Sequence, residues 1–212
     1  MAPKYKLIYF DFTGAAEPIR YIFAYGNQEF EDFRVPRDKW PEFKSSTPFG
    51  KLPILEVDGK QVPQSISIAR YLASKFNLTG KDEWEALQCD YLVDTLGDLK
   101  QEAVKAFFEP DPEKAEVLKK KVLEEVFPFY LGKFDKIIKD NGGFTVGSQI
   151  TWSDLVFAAS LSDFENHISS KSDLLKPYPA ITALLNKIHT LPSIKAWLET
   201  RPPIKPLQPL KR

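Results

Sequence analysis

The spacing of hydrophobic and polar residues changes along the 212-residue chain near Leu78-Thr79-Gly80-Lys81. Upstream, short apolar runs alternate with helical patterns; downstream, nearly every segment repeats with a helical period. Lys6 to Phe10 is a run of β-formers bounded by Asp11-Phe12-Thr13-Gly14, which predicts a strand and then a loop. Ala16 to Tyr25 predicts a helix with Ile19, Ile22 and Phe23 inward and Gly26 as its stop. Phe30 to Val35 predicts an edge strand. Pro53 to Val57 predicts another, Asp58-Gly59 a two-residue hairpin turn with positive φ, and Gln61-Val62 the return strand. Ser65 is placed to cap a helix reaching Lys75, with Ile68, Ala69 and Leu72 inward. Strand, helix, strand, then hairpin and helix imply a small mixed sheet with helices packed on it.

The second part begins near Asp82. Trp84, Leu87, Tyr91, Leu99 and Ala106 fall at helical steps and read as one stripe of a long helix. A further helix is expected from Glu113 to Lys139, kinked at Pro128 and ended by Gly142-Gly143. In Thr151-Trp152-Ser153-Asp154 the threonine can cap a helix and the aspartate can reach back, with Ile150 and Leu155 as a hydrophobic staple. Pro179 and Pro192 stand where helices start, and Arg201-Pro202-Pro203 ends the last one.

Composition removes whole classes of function. Twenty-nine basic and 29 acidic residues give a net charge of +0, so no long-range field draws the chain to nucleic acid or to an anionic membrane. With 43% hydrophobic and 27% charged residues, it reads as an ordinary soluble globule. The single cysteine, Cys89, excludes an internal disulfide, a CxxC redox pair and a cysteine-built zinc site. The N-terminal residues lack a signal-peptide apolar core and no run is long enough to span a membrane, so the expectation is a cytoplasmic protein. Asn77-Leu78-Thr79 matches a glycosylation sequon and reads as a chance match.

Candidate chemistry is sparse. His167 and His189 fit no triad or metal pattern and read as structural; Cys89, inside a helix, reads as packing. No GxGxxG, P-loop or HExxH occurs, so a reactive group would have to come with a ligand. Tyr9 ends the first strand, where its hydroxyl can face a cleft. Leu52 precedes Pro53, and a cis bond there would present the Leu52 backbone to a peptide-like ligand. Gln64-Ser65, at a helix start, offers an amide, a hydroxyl and free N–H groups to a carboxylate. In this order the three describe a site for a small anionic peptide.

The chain resembles the sigma class of glutathione S-transferases, a group that includes haematopoietic prostaglandin D synthase and insect and helminth detoxification enzymes. The matching stretches are Tyr5 to Phe10, Glu17-Pro18-Ile19-Arg20-Tyr21, Trp40-Pro41, Pro48 to Leu55, Gln64 to Leu72, Val93-Asp94-Thr95 and Thr151 to Asp154. The resemblance implies an α/β thioredoxin-like N-terminal domain at 1–78, an all-α domain at 82–212, a homodimer and glutathione as co-substrate, with no metal required. It implies that Tyr9 hydrogen-bonds the glutathione thiolate. Trp40 and Lys44 would flank the glycine end, Lys51 would also bind glutathione, the Leu52 backbone before Pro53 would hold the cysteinyl unit, and Gln64 and Ser65 the γ-glutamyl carboxylate. Asp98 would reach the γ-glutamyl amine bound to the partner subunit. Small hydrophobic electrophiles, lipid-peroxidation products among them, would occupy a pocket of Phe10, Phe12, Ala15, Lys105 and Phe108.

The chemistry asked of Tyr9 is modest. Lowering a thiol pKa by about two units takes about 2.7 kcal/mol of preference for the anion, the order that one charge-assisted hydrogen bond supplies. Two departures from the family pattern bear on specificity. Ala15 stands where family members that make prostaglandin D2 often carry an arginine, and Lys105 matches the tryptophan that walls their pocket. The acidic cluster tied to divalent-ion activation reads Asp94, Gly97, Asp98, one acid short. The leading expectation is a conjugating glutathione transferase that also reduces lipid hydroperoxides; the alternatives are a prostaglandin H2 to D2 isomerase and a non-catalytic crystallin-like or ligand-binding protein. The tail, Pro203 to Arg212, carries an SH3-ligand spacing and reads more plainly as a packed or frayed end.

Overall fold

The computed structural model describes residues 3–168 and 173–204, so the tail reading from residue 205 onward lies outside the described residues. Strand β1, Tyr5–Phe10, is central: it pairs in parallel with β2, Glu31–Val35, and antiparallel with β3, Ile54–Val57, which pairs with β4, Lys60–Pro63. The order is β2-β1-β3-β4, with β2 at the edge as expected. Helix α1, Glu17–Tyr25, makes the crossover from β1 to β2. Asp58 and Gly59 both have positive φ, 49° and 81°, the pair that a two-residue hairpin turn requires.

Alternation along β1 decides what the strand can offer. Tyr5, Leu7 and Tyr9 point to the helix-covered face; Ile8 joins Val35 and Ile54 on the other, under Phe43 and Leu52. Both faces are covered, which explains the unbroken apolar run. Helix α2, Trp40–Lys44, which no periodicity announces, shields that second face. Helix α3, Ser65–Lys75, follows β4.

Helix α4, Glu83–Phe107, is capped by Asp82, whose side chain accepts from the Glu85 N–H at 2.8 Å. Its buried face is Cys89, Leu92, Val93, Leu96, Leu99, Ala103 and Ala106. The expected stripe is therefore corrected: Trp84, Leu87 and Tyr91 lie on the outer face, 66%, 54% and 46% exposed. Helix α5, Pro112–Lys121, runs through a π-helical turn, Val122–Val126, into α6, Phe127–Asp140. The irregularity expected at Pro128 falls in the preceding turn, where the missing N–H and the ring disturb the hydrogen-bond ladder.

Helix α7, Trp152–Ile168, is the core of the helical part, and residues 151–160 are buried all round it. Asp154 reaches back to the Thr151 N–H at 2.7 Å, as expected. It also accepts from the Thr145 N–H at 2.7 Å and from both threonine hydroxyls, so it ties the loop before the helix as well as its first turn. Helices α8, Pro179–His189, and α9, Pro192–Thr200, begin at the expected prolines. One continuous apolar core runs from Leu7 and Ile22 through Leu96 to Phe157 and Ile188, joining sheet and helices.

Three local readings change. Ser65 is the first residue of α3, not its cap; the cap position is Gln64, without a side-chain cap bond. Gly26 follows α1 with a right-handed φ of −73°, and Asn27 takes the left-handed position at φ 48°. Gly26 is small for another reason: a Cβ there would stand 2.7 Å from the Phe76 ring. Asn77 of the sequon has φ 56° and closes α3, a backbone role that explains the residue without glycosylation.

Candidate active site

Tyr9 leaves β1 on the helix side, and the loop that follows turns back over its ring. Its hydroxyl oxygen accepts a hydrogen bond from the Ala15 N–H at 3.2 Å. The acceptor side of the oxygen is thus engaged, and its own proton is left to donate. Burial, and secondarily Asp163, push the phenol pKa up against the Ala15 bond and the charges of Arg20 and Arg37, so Tyr9 stays protonated at neutral pH. Gly14 makes this approach possible: it has φ +44°, and a Cβ there would meet the Tyr9 hydroxyl and Phe12 Cδ1, each at 2.8 Å.

A buried charge network fixes the loop from behind. Arg20, fully buried, donates to the Phe12 carbonyl at 2.9 Å, to Glu17 at 3.0 Å and to Asp32 at 3.1 Å. Asp32 is held in turn by Arg34, which also reaches Asp11 at 3.0 Å. Glu17 receives the Trp197 indole N–H at 2.9 Å and the Arg201 guanidinium, both from α9 or its end.

Beside Tyr9 lies an open, largely apolar cavity of about 320 Å³ between the β1 loop, α4 and the end of α7. It brings together Phe10, Phe12, Ala15 and Phe108, as expected. Lys105 is not among its walls: it points to solvent and pairs with Glu102 at 2.5 Å. The register of α4 instead presents Lys100, Ala103, Val104 and Phe107. His167, read as structural, also lines the cavity. Its ring lies 4.8 Å from Phe12, and its Nε2 is 3.2 Å from Asp163 and 3.3 Å from the Thr13 hydroxyl. The Thr13 hydroxyl also bonds Asp163 directly. His189 does hold the structural place expected of it, ending α8 against the Tyr21 and Ser162 hydroxyls. Cys89 is buried, and burial pushes its thiol pKa up.

A smaller cavity is lined by Ala15 and Lys100 together with Ser65, Ile66, Gly97 and Ser160. The two cavities share Ala15 and Lys100 as wall residues, so the start of α3 lies near the space above Tyr9. Gln64, at φ 78°, holds a strained backbone immediately before Ser65. The Leu52-Pro53 bond is cis, and the Leu52 N–H and C=O lie just before the β3 ladder begins at Ile54. Trp40 packs edge-on against Phe10 with ring centroids 5.2 Å apart, and the Lys44 stem lies over Gly50, next to Lys51. Asp98 is exposed on the outer face of α4. Among the described residues, no group of three or more His, Cys, Asp or Glu side chains is placed to hold a metal ion.

The family description "Glutathione S-transferase, N-terminal domain" matches residues 5–74, and "Glutathione S-transferase, C-terminal domain" matches residues 97–201. The chain belongs to the glutathione S-transferase family. It is 46% identical to glutathione S-transferase S1 of Drosophila melanogaster, over 93% of this chain and 79% of that one. It is 39% identical to the hematopoietic prostaglandin D synthase of Rattus norvegicus, over 96% of this chain and 99% of the other. A solved structure, prostaglandin synthase D of Nilaparvata lugens, superposes with a TM-score of 0.90 at 44% identity, covering 94% and 98% of the two chains. The thioredoxin-like sheet and the all-helical C-terminal half are those of this transferase family.

Among the cavity residues that sequence reasoning missed in this transferase, Lys100 and His167 carry chemistry. For both the available signal was spacing. Lys100 stands three, four and seven residues before Ala103, Val104 and Phe107, on one helix face. His167 follows Asp163 by four residues on α7.

Proposed function

We propose that the protein joins the glutathione thiolate to small hydrophobic electrophiles, lipid-peroxidation products among them, and reduces lipid hydroperoxides at the same site. The observation that carries this is the Tyr9 hydroxyl, its lone pair taken by Ala15 and its proton free, beside an apolar cavity. Glutathione lies along the sheet edge. The Leu52 backbone, before Pro53, pairs with the cysteinyl unit. Trp40 and Lys44 hold the glycine end, Lys51 also binds glutathione, and Gln64 and Ser65 hold the γ-glutamyl carboxylate. The thiol proton leaves to solvent. Tyr9 donates its hydrogen bond to the sulfur anion, which forms a bond to the electrophilic carbon; from a halide the leaving group departs with the displaced electron pair, and in an unsaturated carbonyl the π pair shifts to oxygen and a proton from water follows.

The dimer belongs to the same proposal. Trp84, Leu87 and Tyr91 form an exposed apolar strip on α4, on the side that carries Asp94 and Asp98. A second copy covering that strip would bring Asp98 to the γ-glutamyl amine in the partner's site. Residues 1–78 act as the glutathione-binding unit and residues 82–212 as the unit that walls the electrophile pocket. A cytoplasmic location agrees with a lone, free Cys89.

Likeness to prostaglandin synthases supports isomerisation of prostaglandin H2 as the second reading. The cavity wall does not oppose it, because Val104 and Phe107 stand there rather than Lys105. Ala15, which supplies no charge beside the sulfur, does. The deciding experiment is a steady-state screen with glutathione against aryl halides, unsaturated aldehydes, lipid hydroperoxides and prostaglandin H2. Conjugation of the first two is expected to dominate. A prostaglandin D2 rate above the best conjugation rate would establish the isomerase reading, and no turnover with any of the four would establish a binding protein.

A further inference from the structure

The face that α4 turns to the cavity is apolar at Ala103, Val104 and Phe107 and cationic at Lys100. Lysines at a pocket rim ordinarily extend their ammonium to water. Lys100 is only partly exposed and lines the cavity wall; burial lowers its pKa, and Asp163 opposes that shift only in part. Among the described residues, no hydrogen bond or salt bridge reaches its ammonium. Asp163 acts on it only through space, and the partners of Asp163, Thr13 and His167, both sit on its Oδ1. The charged or titratable groups around the cavity are therefore Asp163, His167, Arg37 and Tyr9, and none of them is a hydrogen-bonded partner of Lys100.

Position narrows what this cation serves. Lys100 lines the electrophile cavity together with Tyr9, whose hydroxyl marks the proposed place of the sulfur, and it also walls the cavity at Ser65. A carboxylate at the end of a lipid chain lies many bonds from its reactive carbon. The oxygen of an unsaturated carbonyl lies only three bonds from the carbon attacked. A donor held next to the sulfur fits the second kind of oxygen.

Resting on the transferase reading above, we propose that Lys100 is a catalytic residue for α,β-unsaturated carbonyl substrates, its ammonium donating a hydrogen bond to the carbonyl oxygen as the thiolate adds. The sulfur–carbon bond forms at the β carbon. The π pair of the carbon–carbon double bond moves toward the carbonyl, and the oxygen becomes an enolate anion. The ammonium holds that charge and keeps its proton. The enolate then takes a proton from water at the α carbon, restoring the carbonyl; nothing is oxidised or reduced. A donor already in the cavity wall acts on charge that exists only after addition begins, which is the condition for lowering the barrier rather than tightening binding.

The test compares two electrophiles in the full-length wild type and in Lys100→Met and Lys100→Gln. Nonenal develops an oxyanion on addition; benzyl chloride is displaced with no charge placed on oxygen. The ratio of kcat/KM for nonenal to that for benzyl chloride should fall on the order of 100-fold in Lys100→Met, and less in Lys100→Gln, which keeps a neutral donor. A ratio held within about threefold in both variants overturns the proposal, because loss of one oxyanion donor costs far more. So does a wild type that conjugates benzyl chloride but not nonenal. A wild type that conjugates neither overturns the transferase reading with it, so the two failures are distinct.

Discussion

Removing only the hydroxyl of Tyr9 tests the centre of the proposed mechanism, and the structure sets the size of the effect. Tyr9→Phe keeps the ring and its tilted packing on Phe10 at 5.7 Å. It removes the proton aimed at the sulfur and the acceptor of the Ala15 N–H. A hydrogen bond to a charged group contributes about 1.5–3 kcal/mol. At about 1.36 kcal/mol per pKa unit, the bound thiol should rise by about one to two units. The free thiol ionises near pH 8.5, so wild-type activity should level off well below that and the variant's near or above it. Turnover near neutral pH should fall about 10- to 100-fold, and the gap should narrow as pH rises and the variant's thiol ionises. Because burial raises the Tyr9 pKa, the wild-type inflection cannot be the phenol's own ionisation. Aryl halide conjugation followed across pH, with an ultraviolet titration of bound glutathione, measures both quantities. The lost Ala15 partner should cost about 1–3 kcal/mol of stability, visible as a lowered Tm. Superimposable pH–rate profiles for the two proteins, with chemistry rate-limiting, would remove Tyr9 from its assigned role.

Four further outcomes are expected. Gly14→Ala should cut turnover by about 10-fold or more with little change in glutathione KM, because the new methyl displaces the Tyr9 hydroxyl; normal turnover would show that the loop yields. Glu17→Gln should destabilise by about 3–5 kcal/mol in urea unfolding, since it removes the buried carboxylate facing Arg20 and Arg201, and a loss below about 1 kcal/mol would contradict that reading. Sedimentation should give about 48 kDa, twice the 24.2 kDa of the chain, and Asp98→Asn should weaken glutathione binding more than it slows chemistry; a monomer with full glutathione affinity would refute the shared site. Ala15→Arg should raise prostaglandin D2 yield if the missing charge limits isomerisation, and leave it flat if the cavity shape does.

The strand run, the Asp58-Gly59 turn, the Thr151 to Asp154 signal and the prolines opening α8 and α9 were legible because each is enforced by neighbours a few residues away. Tyr9 and the Leu52-Pro53 bond were legible for the same reason, as parts of strand ends. What resisted reading is set by distant contacts. Helix α4 carries apolar residues on two faces, and periodicity cannot say which faces this chain's core, so Trp84 and Tyr91 looked interior. Lys105 and Lys100 differ by five residues, well over a full turn, and only packing against α7 shows which one enters the cavity. His167 pairs with Asp163 one turn away, but what sets it in the cavity wall is the loop at Phe12 and Thr13, the latter 154 residues away. The left-handed backbone of Gln64 has no signature in a residue with a side chain.

Glu17 has a consequence for how such chains can be recombined. One carboxylate, 2% exposed, takes bonds from Arg20 behind the Tyr9 loop and from Trp197 and Arg201 near the end of the described chain. A chimera that joins the sheet half of this chain to the helical half of a relative inherits Glu17 from one parent and its α9 donors from the other. Unless that relative supplies an indole or guanidinium at those places, Glu17 loses donors in the interior, and the loop over Tyr9 loosens before any ligand-contacting residue has changed. Shuffling between relatives should therefore succeed or fail on three residues that touch neither substrate, and grafting Trp197 and Arg201 together with the sheet half should rescue the pairs that fail.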